Sequence, residues 1–105
     1  MTESVERYLR MFKALSNPHR LRILLKAVEN VREEKTFHCE GKQETTCQRD
    51  HAEVYAIAPS TMSHHMKELV YAGLLTMERD GQRTVWGLNR EGIHALHVFI
   101  EELDP

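Results

Sequence analysis

The sequence predicts a mainly α-helical chain with one small β-ribbon, and three observations predict it. Apolar residues recur at three- and four-residue spacing in separate runs, as in Val5, Tyr8, Leu9, Phe12 and Leu15 or Met62, Met66, Leu69 and Val70. Helix punctuation brackets those runs: Asn17-Pro18, Pro59, Gly73 and Asn89 stand where caps, first-turn prolines and left-handed stops belong. Asp80-Gly81 separates two strand-like runs, one opening at Leu74-Leu75 and one covering Thr84 to Leu88.

Taken in order, the first helix packs the stripe from Val5 to Leu15, with Thr2 as its cap. Ser16-Asn17-Pro18 stops it and starts a second, capped by Asn17, whose stripe is Leu21, Leu24, Leu25, Val28 and Val31. Arg20 and Arg22 fall off that stripe and read as solvated charge. Residues 30 to 46, NVREEKTFHCEGKQETT, hold no sustained period and read as an extended loop or a hairpin turning at Glu40-Gly41, tethered by Phe37. CQRDHAEVYA, Cys47 to Ala56, is the next expected helix, and a last helix runs from Arg90 to Leu103 on Ile93, Leu96, Ile100 and Leu103, with Phe99 widening the stripe and Asn89 as cap.

Ala58 to Gly73, APSTMSHHMKELVYAG, has two unlike faces. Met62, Met66, Leu69 and Val70 form an apolar stripe, while Ser60, Thr61, Ser63, His64 and Lys67 lie mostly opposite. Small hydroxyls, an imidazole and a lysine at the start of a helix can donate and accept hydrogen bonds without filling a DNA major groove. A ribbon with Arg79 and Arg83 around its tip follows, and helix plus basic ribbon is the winged helix-turn-helix plan.

Composition bounds the rest. A chain of 105 residues, 41% hydrophobic, makes one domain with a modest core that a second copy would help to stabilise. The formal net charge of −2 excludes a general attraction to nucleic acid, so DNA binding needs a local patch: Lys67, Arg79 and Arg83, with Arg49 in addition. The acidic residues Glu3, Glu6, Glu101, Glu102 and Asp104 stand near the termini instead. No apolar run has the length of a membrane span and TESVERYLRMF is too charged for a secretory signal, so the expected location is cytoplasmic, without a membrane partner. In that reducing compartment two cysteines are thiols, metal ligands or a redox pair rather than a permanent staple.

FKALSNPHRLRILL at residues 12–25, STMSHHMKELVYAGLL at 60–75 and ERDGQRTVWGLN at 78–89 resemble the ArsR/SmtB family of bacterial repressors, in the family's order and over most of the chain. The resemblance implies a homodimer, joined through its first and last helices, that sets one reading helix per subunit on a two-fold symmetric double-stranded operator. It also implies a sensing site. Family members commonly carry a thiolate motif of the type ELCVCDL before the turn; TTCQRDH aligns with it here, so Cys47 matches the first cysteine, Asp50 the aspartate, and Arg49 stands in place of the second cysteine.

The resemblance also implies that residues 30 to 46 are an insertion, since relatives in the family usually cross this point with a much shorter link, and the insertion offers a replacement. His38, Cys39, Cys47 and His51 supply two thiolates and two imidazoles suited to a soft or borderline ion of the zinc, cadmium or arsenite class, and Arg49 beside Cys47 also suits a reversible Cys39–Cys47 disulfide. The plain alternative is a core Cys47 and an incidental Cys39. A second candidate set, His94, His97 and Glu101 with Glu91, lies near one face of the last helix, where zinc-responsive relatives place ligands; surface or interface histidines are the competing reading. His64 and His65 are adjacent, hence about 100° apart around the helix, which favours DNA contact for His64 and partial packing for His65 over shared chelation. Two rival functions remain: a winged helix used as a protein-interaction module, which would favour apolar contact residues on its reading face, and a constitutive DNA-binding regulator without an effector. No HExxH, phosphate loop or nucleophile–base spacing supports an enzyme.

Overall fold

The computed structural model describes residues 2–33, 37–40, 58–81 and 83–105. In chain order these are α1 (Thr2–Leu15), α2 (Pro18–Arg32), β1 (Phe37–Glu40), α3 (Pro59–Tyr71), β2 (Leu75–Asp80), β3 (Arg83–Leu88) and α4 (Arg90–Glu102). Mainly helical with a wing-like ribbon, the chain has the winged helix-turn-helix architecture. The expected helix at Cys47–Ala56 lies outside the described residues.

Local signals set most element ends. The Asn17 side chain accepts from the backbone N–H of His19 and Arg20, at 2.9 and 3.2 Å, and Pro18 opens α2. Asn89 does the same for α4, accepting from the Gly92 N–H at 3.1 Å. Thr2 stands inside α1 as its first residue rather than before it as a cap.

α3 is anchored by its apolar back. Met62, Met66 and Leu69 are all fully buried, joining Met11, Ile23, Leu24, Leu74, Leu75 and Trp86 in one core. Each such side chain contributes roughly 1.5 to 3 kcal/mol by leaving water, an upper estimate for a realistic unfolded chain. The helix ends in a Schellman motif: the Gly73 N–H donates to the Val70 carbonyl and the Leu74 N–H to the Leu69 carbonyl, both at 3.0 Å, with Gly73 at φ +80°.

Two stripes turn out differently from the periodicity. In α2 the buried arc is Ile23, Leu24, Ala27 and Asn30, while Leu21, Leu25 and Val31 are exposed. Two apolar arcs at helical spacing compete there, and the one with the small Ala27 is the one buried. In α4, Ile93 and Leu96 pack on the core, but Ile100 and Leu103 are exposed. Phe99 packs instead with α1, its ring centroid 4.4 Å from Tyr8 and 5.4 Å from Phe12.

The insertion is not irregular throughout: Asn30 to Arg32 complete α2, and Phe37–Glu40 form β1. The sheet runs β1-β3-β2, all antiparallel, with Cys39 opposite Thr84 and His38 opposite Val85. β3 supplies the pairing that no local period announced. The turn expected at Glu40-Gly41 leaves the described residues at Glu40. In the ribbon, Asp80 belongs to β2 and pairs with Arg83, and Gly81 follows it at φ +63°.

At Gly92 a Cβ would stand 1.7 Å from the Gly73 carbonyl oxygen and 2.9 Å from its carbon, both backbone, so α4 rests directly on the turn after α3. Gly92→Ala is expected to cost about 2 kcal/mol or more in urea unfolding, because backbone must separate. Gly73→Ala, where a Cβ meets nothing within 4 Å, is expected to cost about 1 kcal/mol from its positive φ alone. Equal losses would contradict the direct α4 contact.

Candidate nucleic-acid interface

The face of α3 opposite the core carries the residues read as DNA contacts. Ser60, Thr61, His64 and Lys67 are exposed and Ser63 is half-buried. They occupy the first turns of the helix, where the N-cap is Ala58, which makes no side-chain capping bond, and where the first turn has no acidic residue. Nothing negative in that turn opposes a phosphate at the positive end of the helix dipole.

The ribbon stands beside this helix in sequence and is continuous with it through Leu74. Arg79 is exposed, and its Nη1 donates to the Thr84 hydroxyl at 2.8 Å across the β2–β3 pair, which orients the guanidinium along the ribbon. Arg83 opens β3 at the ribbon tip, opposite Asp80.

Behind the reading face lies a cluster the sequence did not announce. His65 is buried, and its Nδ1 accepts from Arg20 Nε at 3.0 Å. That contact requires a lone pair on Nδ1 and so assigns a neutral ring with its proton on Nε2. His19 stacks on His65 with ring centroids 5.7 Å apart, and the tilted His64 ring has its centroid 6.0 Å from that of His65. Burial first, then the charge of Arg20 and the two neighbouring imidazoles, pushes His65 below the ordinary histidine range. Arg20 is therefore not the solvated charge its position off the stripe suggested, and His19 has a partner from α3. Only the packing of His65 had been anticipated; a partner 45 residues away leaves no mark in local periodicity.

The sensing candidates are divided. His38 and Cys39 are neighbours on β1, whereas Cys47, Arg49 and His51 lie outside the described residues. On α4, His97 Nε2 pairs with Glu101 Oε1 at 3.0 Å and the His94 and His97 rings are 6.4 Å apart. Among the described residues no three His, Cys, Asp or Glu side chains are grouped to hold a metal ion. No described helix is long and apolar enough to cross a membrane.

No protein-family model matches the chain. It is 30% identical over 95 residues to the arsenical resistance operon repressor of Bacillus subtilis strain 168, covering 90% of this chain and 78% of that protein. Among solved structures it resembles HlyU from Vibrio cholerae N16961, with a TM-score of 0.62, 18% identity and coverage of 99% and 98% of the two chains. It also resembles the homodimeric winged helix-turn-helix DNA-binding domain Mb0332 of Mycobacterium bovis, a possible ArsR-family regulator, with a TM-score of 0.64, 20% identity and coverage of 97% and 82%. At these identities the two structures establish the fold.

The cluster behind α3 makes stability depend on pH. As pH falls through the ordinary histidine value of about 6.5, an unfolded His65 takes up a proton that the folded one refuses. The stabilisation from this site is therefore full above that value and is lost as pH falls toward the lowered folded value. Urea unfolding of the parent and of His65→Gln between pH 8 and pH 5 is expected to show the parent losing more stability on acidification, roughly 1.4 kcal/mol for each pH unit in the window between the two values. Parallel curves would show that His65 is not the group responsible.

Proposed function

The chain belongs to the ArsR/SmtB family of bacterial winged-helix transcriptional regulators, and from that premise we propose that it is an effector-responsive repressor acting as a homodimer on a two-fold symmetric operator. The observation that carries the reading is α3 itself: its back is locked in the core by Met62, Met66 and Leu69, and its exposed front holds hydroxyls, an imidazole and a lysine. In this reading Ser60, Thr61, Ser63 and His64 position on base edges of the major groove, and Lys67, Arg79 and Arg83 hold phosphates, with the ribbon at a neighbouring minor groove. Two subunits would place their reading helices about 34 to 36 Å apart.

Exposed Val5, Leu9, Phe12, Ile100 and Leu103 on α1 and α4 support a second copy as the partner, since water-exposed apolar side chains on two adjoining helices favour a covered face. The regulators it resembles make a protein-interaction module less apt, and the polar front of α3 points the same way.

For release, Cys39 and Cys47 are the proposed sensing thiols, with His38 and His51 as additional donors. Two thiolates and two imidazoles suit a zinc-class ion, and the thiolates alone suit arsenite, in keeping with the arsenical resistance named for the Bacillus relative. The redox form of the same proposal joins the two thiols in a disulfide, giving up two protons and two electrons to a two-electron oxidant such as hydrogen peroxide. Either event would need to bias the dimer by about 1 to 3 kcal/mol, the usual allosteric coupling, to relieve repression.

Fluorescence anisotropy on DNA from the protein's own upstream region tests the interface. Ser63→Ala and His64→Ala are each expected to cost about 1 to 3 kcal/mol of specific affinity, and Lys67→Ala to reduce the salt slope by about one. Unchanged specific binding in all three would remove the reading-helix assignment. Arsenite, cadmium, zinc and a mild oxidant are then titrated into the reduced protein–DNA complex. Release is expected with the parent and not with Cys39→Ser or Cys47→Ser; an intact response in both variants would exclude the insertion as the sensor, and no response in the parent would leave a constitutive regulator.

A further inference from the structure

We propose that the groove between α1 and α3 is a binding site for a small planar organic monoanion, with an aromatic carboxylate as the fitting class. Its consequence for DNA rests on the repressor reading; its chemistry does not.

The groove has a volume of about 570 Å³, within the span of about 300 to 1,000 Å³ typical of small-molecule sites. Its walls come from three elements. α1 lends one face through Glu6, Arg10 and Lys13; α3 lends His64, Glu68 and Tyr71 at four- and three-residue spacing; Arg20, in the first turn of α2, also lines it.

Charge selects the ligand. Three lining cations, Arg10, Lys13 and Arg20, stand against two carboxylates, Glu6 and Glu68, leaving one positive charge with His64 counted as neutral. That balance attracts a single negative charge, while the carboxylates oppose a phosphate-dense polyanion. Shape narrows it further. The Arg10 guanidinium lies 4.7 Å above the Tyr71 ring, so one wall is a flat cation–aromatic stack against which another ring can lie. Tyr71 is 68% exposed, apolar surface that such a ring would take out of water. The carboxylate would then meet Arg10 and Lys13 in charge-assisted hydrogen bonds.

The same groove reaches two groups that matter for DNA. His64 lines it and also belongs to the reading face, and Arg20 lines it while holding His65 in place. An occupant therefore competes with DNA for His64, apart from any event at the cysteines.

The test is a calorimetric and amide-NMR titration of the reduced full chain with 2-naphthoate. Saturable binding with shifts concentrated in α1 and α3 is expected. The neutral isostere 2-naphthamide, and 2-naphthoate against the Arg10→Gln/Lys13→Gln double variant, are each expected to bind roughly tenfold more weakly or worse, the equivalent of one lost charge-assisted contact. Inorganic phosphate is expected not to displace the acid. Absence of saturable binding, equal affinity for acid and amide, or displacement by phosphate would each overturn the proposal; the amide comparison uses the parent chain and so does not depend on the variant folding. On operator DNA, 2-naphthoate is expected to weaken binding. A chain that takes up the acid but binds no DNA would support the groove and refute the repressor reading.

Discussion

The contact on which the rest of the structure depends is the seating of α4 on the turn that ends α3. Gly73 reverses the chain in a left-handed conformation, Leu74 returns its N–H to the Leu69 carbonyl, and Gly92 of α4 lies so close that a single added carbon would overlap the Gly73 carbonyl oxygen. The Asn89 N–H donates to the Leu74 carbonyl at 3.0 Å, and the Asn89 side chain caps α4 three residues before Gly92 finishes the contact. Three hydrogen bonds and one close backbone approach thus meet around this turn. The end of the reading helix, the start of the ribbon and the start of the last helix are fixed relative to one another, which is what a rigid two-part DNA reader requires.

That locking gives meaning to the division of α3 into two faces. A helix of 13 residues held only by its apolar back could still roll, but buried His65 tied to Arg20 adds a directional bond from α2. Rolling would break a bond to a charged donor and leave a buried imidazole nitrogen unpaired, which costs more than the bond is worth when made. The orientation of Ser60, His64 and Lys67 is therefore set from behind, by the buried apolar stripe and the Arg20–His65 bond.

Much of this could be read in the sequence, and the division follows a physical line. Asn17-Pro18, Asn89 and Gly73 act within a few residues of themselves, so their roles were visible, as was the burial of Met62, Met66 and Leu69 on a helix with a single apolar arc. α2 carries two competing arcs, and only the packing of the elements around it decides that Ala27 is buried and Leu25 exposed. β1 has no period of its own because β3 provides its partner. Arg20 with His65, and Arg10 with Tyr71, are pairs separated by the intervening chain, and sequence spacing cannot announce them. For the candidate site, the reading face was legible as a pattern of residue types, while the groups that hold it in place were not.

α1 is the element shared by the proposed dimer face and the proposed small-molecule groove. Met11 and Ala14 face the core, Tyr8 and Phe12 meet Phe99 of α4, and Arg10 reaches Tyr71 of α3. The exposed Arg7–Glu91 pair at 2.6 Å adds little energy but marks the register of α1 on α4. A helix so divided gives a second copy one side to cover and a small molecule another, and it packs directly on the reading helix. Because interiors are close-packed and yield little, a displacement of α1 at either side is carried into α3 rather than absorbed. The coupling a repressor needs can thus arise from the packing of one helix, with the sensing chemistry free to sit wherever it can push on α1 or on the sheet that continues from α3.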